Sequence, residues 1–167
     1  MLTKISHFID EWKEISNQTQ QILEELSDET LSQEVAPGYR TIGRICWHLV
    51  QTVPEMMGRT GLPVSGPEES SPPPLTVKEI IEAYKQVSQS LVEAVQKKWT
   101  DESLLVEDDM YGEKWSRAFT CRGLINHQIY HLGQITVLMR QAGLKVPGIY
   151  GPSKEEWELF GMPAPVV

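Results

Sequence analysis

The sequence predicts an all-α four-helix bundle. Four segments place apolar residues every three or four positions, the period of a helix with one buried face. One Pro-, Gly- and Ser-rich stretch, Gly61–Leu75, separates the second segment from the third. Neither flank of that stretch holds enough helix for a core of its own, so residues 1–167 are expected to form a single domain with a long internal connection.

The first helix is expected from about Thr3 to Leu26. Leu2, Ile5, Ile9, Trp12, Ile15, Thr19, Ile22 and Leu26 form its apolar stripe, and Lys, Glu and Gln fill the other face. The second runs from about Thr41, a good N-cap, to Gly58, with Ile42, Ile45, Leu49, Val53 and Met56 inward. Pro54 removes one backbone donor inside it, which predicts a kink or an early loosening. The third opens with Thr76-Val77-Lys78-Glu79, a capping-box pattern, and keeps its stripe from Val77 to Trp99, about 24 residues. Residues Asp101–Ser116 break the helical period and read as an irregular segment with a short hairpin at Tyr111-Gly112, flanked by Val106 and Trp115. The fourth helix covers about Ala118 to Gln141 and ends at Ala142-Gly143. In the tail, a short helix is expected over Ser153–Phe160, with Trp157 and Phe160 as packing anchors.

Bulk properties exclude several function classes. The net charge is −8 and the isoelectric point about 5.0, so the chain repels phosphate backbones and no nucleic-acid partner is expected. The opening stretch MLTKISHFIDEWKEI is interrupted by polar residues every two or three positions, and no run approaches the roughly 18 apolar residues of a membrane span. A cytoplasmic protein with no membrane partner is the expectation. Two cysteines, Cys46 and Cys121, are too few for a disulfide framework and read as reduced, buried thiols.

Candidate chemistry lies in the histidines. His127 and His131 are four residues apart, so their rings differ by about 40° around the helix and about 6 Å along it. Four histidines make six pairs, and a shuffled chain shows this spacing roughly 7% of the time. On the fourth helix alone, a metal site and two hydrogen-bonded core histidines stand equal. His48, on or beside the Ile45/Leu49 stripe of the second helix, needs a buried partner as well. Three imidazoles on two bundle helices make the ligand set of a metal centre with a position left for water or substrate.

The other candidates fit less well. His7 lies away from its helix's stripe and reads as solvated. Cys46 points about 160° from His48, and Cys121 about 120° from His127, so neither joins the set. A thiolate-free site suits zinc, nickel or iron. Glu-x-x-His occurs nowhere, which sets aside a carboxylate-bridged di-iron centre, and Gln128 stands where His-Glu-x-x-His would need its base. Gln134 is placed to orient a ring or a bound water, Tyr130 to donate to a substrate, and Asn126 lies beside them. For each, ordinary packing or solvent exposure competes. Trp47 and Trp115 read as pocket walls or as core. Nothing in the sequence places Glu107, Asp108 or Asp109 as a base.

A histidine within TIGRICWHLV, followed by NHQIYHLGQITVLMRQAG in the fourth helix, resembles the DinB/YfiT-like superfamily of metal-binding bundles. The segment of pattern Asn-His-x-x-Tyr-His-x-Gly-Gln is its specific part, and the likeness extends over most of the chain. The resemblance implies an up-up-down-down bundle, frequently a homodimer, with a divalent metal on His48, His127 and His131 and water completing the shell. It also implies a thiol-dependent S-transferase, joining a low-molecular-weight thiol such as bacillithiol or mycothiol to a small electrophile. Two other readings are a hydrolase using a metal-activated water and a metal-binding stress protein without catalysis.

Overall fold

Local capping decides where the helices begin. Thr41 Oγ1 accepts the Arg44 N–H and starts α2 (Ile42–Gly58). Thr76 accepts the Glu79 N–H, donates its hydroxyl to the Glu79 carboxylate and starts α3 (Val77–Lys98). Ser116 accepts the Phe119 N–H and starts α4 (Arg117–Gln141). The first helix, α1 (Ile5–Glu24), begins two residues later than expected, where the Ile5 N–H donates to Asp101 Oδ1 at 2.9 Å. That cap comes from a residue 96 positions away, so no local signal marked it. The computed structural model describes residues 2–166.

The helices form a ring in the order α1, α3, α2, α4, each packing on two neighbours. Contacts fix their directions. Trp12 and Ser16 hydrogen-bond Ser88, and Asp28, just past α1, accepts the N–H of Val77 at the start of α3, so α1 and α3 are antiparallel. Glu11 pairs with Arg122 near the start of α4, where α1 and α4 run parallel. The carbonyl of Leu49 accepts from Gln128, and Met56 lies against Gly123, so α2 and α4 are antiparallel. The order is therefore up-down-down-up, which corrects the up-up-down-down expectation.

The cause is the path of the Pro-rich connection. It runs back along α2: Gly66 packs on Pro54, the backbone of Glu68 and Glu69 faces Gln51, and the Ser71 carbonyl accepts from Trp47. The chain thus returns to the end where α2 began before α3 starts. A single buried side chain, Gln51, donates to the carbonyls of Glu68, Glu69 and Ser71. At Gly66 a Cβ would stand 2.8 Å from both Pro54 and Val87, so only glycine admits this approach. Packing of this segment covers Pro54, and α2 continues to Gly58 without the expected early loosening.

Between α3 and α4, strands β1 (Glu107–Met110) and β2 (Glu113–Ser116) pair antiparallel with Glu107 opposite Ser116. Tyr111 (φ 59°) and Gly112 (φ 87°) form the two-residue turn, both in the left-handed region that a tight hairpin requires. The tail departs from expectation. Only Trp157–Phe160 is helical, as one 3-10 turn, and Phe160 is exposed rather than an anchor. Polar contacts hold the tail instead: the Glu156 carboxylate accepts the N–H groups of Gly148 and Ser153, and Arg140 pairs with Glu155. No helix among the described residues is long and apolar enough to cross a membrane.

One continuous core fills the ring, with Trp12, Tyr84, Phe8 and Leu49 fully buried. Some of its polar members tie helices together. Gln128, also fully buried, accepts from the Tyr84 hydroxyl at 3.1 Å and donates to the Leu49 carbonyl at 3.2 Å, tying α4 to α3 and α2. Both cysteines are free and buried, as the sequence implied, and burial pushes their thiols up to about 12.

Candidate metal centre

On α2 a polar stripe runs beside the apolar one: Arg44, His48, Gln51, Thr52, Glu55 and Arg59, at steps of three and four. The antiparallel packing of α2 on α4 sets His48 opposite His127 and His131. The three ring centroids lie 4.4 to 5.0 Å apart. One ligating atom from each ring can be chosen so that all lie within 4.8 Å of one another.

The donor set fits a shared cation. Nitrogens on one tetrahedral ion at about 2.05 Å stand roughly 3.3 Å apart, and the Nε2 atoms of His127 and His131 are 3.2 Å apart. Gln134 Oε1 lies 2.6 Å from His131 Nδ1. A carbonyl only accepts, so Nδ1 carries the proton and the Nε2 lone pair faces the shared centre. With that tautomer fixed, the His127–His131 pair shares one proton at most, and His127 Nδ1 is buried without a partner among the described residues. Three imidazoles, two of them aimed at one point, suit a divalent ion better than a hydrogen-bonded core.

Electrostatics keep the rings neutral. Burial, then His127, Arg40, His131 and Arg44, lowers His48 from the usual 6.5 to about 4. Burial, then His131 and Arg40, lowers His127 to about 4 against an opposing pull from Glu55. His131 is lowered too, chiefly by burial, with the Gln134 hydrogen bond opposing. Neutral rings are the ligating form. In the metal-free protein the folded state binds fewer protons than the unfolded one between pH 6.5 and 4, so stability is full above 6.5 and declines as pH falls through that window. The melting temperature of metal-free protein should therefore drop from pH 7 to pH 4.5 more steeply than that of His48→Gln. Parallel curves would show that these rings do not carry the effect.

Two clefts open on either side of the triad. One, of about 730 Å³, is walled by apolar side chains including Tyr39, Ile45, Tyr130, Val137 and Leu138, and reaches His131. The other, of about 710 Å³, reaches His48 and His127 past Arg44, Glu55, Tyr111 and Trp115. Arg40 lines both.

The sequence-derived candidates separate clearly here. His48, His127, His131 and Gln134 come together. Tyr130 is exposed, with its ring 5.2 Å from that of His131, and faces the apolar cleft. Trp115 walls the charged cleft, whereas Trp47 is core and donates to Ser71. Asn126 and His7 are exposed. Asp108 pairs with Arg117 at 2.8 Å, away from the triad. The carboxylate that faces the site is Glu55, absent from the sequence-derived set. It accepts from the Tyr111 hydroxyl at 2.7 Å and pairs with Arg59. Its signal was its place seven residues after His48, two turns along the same face.

Comparison with known proteins gives a consistent picture. The family model described as the DinB family matches residues 1–165. An uncharacterized protein, YrdA, from Bacillus subtilis strain 168 is 41% identical over 165 residues, 99% of each chain. The crystal structure of a DinB-like protein from Bacillus cereus ATCC 10987 superposes with a TM-score of 0.87 at 43% identity, covering 90% of this chain and all of the other. A second DinB-like structure, YjoA from Bacillus subtilis, shares the fold with a TM-score of 0.68 at 17% identity, covering 86% and 97% of the two chains.

Proposed function

The chain belongs to the DinB family, and on that premise we propose that it binds one divalent metal on His48, His127 and His131 and works as a thiol S-transferase on small electrophiles. The observation that carries the metal is the convergence of three neutral imidazoles between two clefts. Zinc, nickel and iron all suit this donor set.

A divalent cation lowers the pKa of a coordinated thiol from about 8.5, so that the sulfur is a nucleophile at neutral pH. The remaining work falls to the chain. Gln134 fixes the His131 tautomer and so the direction of its lone pair. Glu55, on the wall of the charged cleft, would take the proton that the thiol gives up. The apolar cleft, with Tyr39, Tyr130 and Val137 on its wall, offers an apolar surface for an electrophile beside His131. A carbon–sulfur bond forms there as the bond to the leaving group breaks.

The test is turnover. Protein carrying one equivalent of zinc or nickel should consume a chromogenic electrophile such as 1-chloro-2,4-dinitrobenzene only with thiol added, and His48→Ala should abolish the reaction. No turnover across a panel of bacterial thiols and electrophiles would sink the transferase reading. Glu55 also favours a second reading, hydrolysis with a water in the open position, because it supplies the base that the sequence left unplaced. Activity without thiol would select it. A homodimer is part of the proposal on family grounds, and sedimentation equilibrium at twice 19.0 kDa would bear it out.

A further inference from the structure

The charged cleft carries two cations without an ion-pair partner among the described residues. Arg59 is neutralised by Glu55. Arg44 is not: its Nη1 donates to Gln51 Oε1 at 2.8 Å, a neutral amide. Gln51 is itself buried and fixed by its own donation to three carbonyls of the Pro-rich connection. Arg44 is therefore held in place while its charge stays uncompensated, half-buried at the cleft wall. Arg40 forms no ion pair among the described residues and stands where the two clefts meet. Glu69, the remaining acid on the lining, is exposed and pairs with neither arginine. A positive cleft in a chain of net charge −8 is a local reversal of sign, and such reversals draw in ligands of opposite charge.

We propose that Arg44, with Arg40, anchors a carboxylate of the thiol substrate, so that the protein selects an anionic thiol whose sulfur occupies the open position beside His48. This rests on the metal-and-thiol reading above. Geometry sets the size of the ligand. The Arg44 guanidinium reaches along α2 to Gln51, three residues beyond His48, and both side chains line one cleft, so a ligand with a few carbon atoms between sulfur and carboxylate can meet both. The planar guanidinium offers a carboxylate two parallel donors, a match that an ammonium lacks. Gln51 has set one edge of that fork already, which lowers the ordering cost on binding.

The test uses the full chain loaded with cobalt(II), whose absorption reports sulfur coordination directly and without turnover. Mercaptosuccinate, 2-mercaptoethanol and cysteamine are titrated in turn. The dianionic thiol should bind about tenfold or more tighter than the neutral one, and the cationic one weakest. In Arg40→Gln/Arg44→Gln the advantage of mercaptosuccinate should disappear, while 2-mercaptoethanol binds within twofold of the parent. Equal affinities in the parent, or an advantage that survives in the double variant, would overturn the proposal. If none of the three thiols changes the cobalt spectrum, the thiol reading fails, and succinate then decides the arginines separately. A succinate-induced rise in melting temperature in the parent but not the double variant supports the anchor, and no rise in either rejects it.

Discussion

Replacing His131 with alanine is expected to reduce bound metal from about one ion per chain to below about a tenth, with affinity weakened roughly 10²- to 10³-fold. Two ligands remain in the variant, His127 on the same helix and His48 across the core, and two imidazoles hold a divalent ion far less well than three. Gln134→Ala should act more gently, by about 10- to 100-fold, because it frees the His131 ring without deleting a ligand. The same loss should appear as stability. A ligand at 1,000 times its dissociation constant adds about 4 kcal/mol to the folded state. In a chain of this size that is a rise of roughly 10 °C. His131→Ala should gain less than about 4 °C from added zinc or nickel. Metal analysis of untagged protein and melting curves with and without the ion measure both effects. Full metal content in the variant would mean that other residues hold the ion.

The second large effect is expected where the sequence comes closest to a protease motif. Gln128→Glu would create His-Glu-x-x-His on α4, yet no peptidase activity should result. Gln128 does not face the metal side: it is fully buried between the Tyr84 hydroxyl and the Leu49 carbonyl. A carboxylate in its place keeps the tyrosine donor but sets an anionic oxygen against the Leu49 carbonyl, which can only accept. An unpaired charge at such a position costs about 3–5 kcal/mol, a fall in melting temperature of roughly 10 °C. The penalty should shrink as pH is lowered, because burial raises the pKa of the introduced carboxyl and its protonated form can donate to Leu49 as the amide does. Thermal melts from pH 7 to pH 5 would show the gap closing. An unchanged melting temperature, or peptide cleavage, would contradict the structural role.

Much of this protein was legible in its residue order, and the reason is locality. Apolar period and capping chemistry act within a few residues, so the four helices lie within about two residues of where the pattern sets them, and Thr41 and Thr76 cap as their side chains dictate. The hairpin turn was marked by Gly112, because glycine adopts positive φ at no steric cost. The histidine trio was legible because His127 and His131 share a face by spacing alone, and a third histidine lies beside the apolar stripe of another helix, where it needs a partner of its own.

What tertiary structure decided is everything that depends on which element docks where. Periodicity states that a face is buried but not against what, nor in which direction the neighbour runs. The direction of α3 was set by Gln51 capturing backbone carbonyls 17 to 20 residues later, a contact with no repeating signature. The same docking turned the polar stripe of α2 into the wall of a cleft, giving Glu55 and Arg44 their places beside the histidines, and it buried Gln128 against Tyr84 and Leu49. The sequence by itself determined the helices and the three candidate ligands. The packing of α2 between α4 and the returning chain determined that they meet, and that a charged cleft opens on one side and an apolar one on the other.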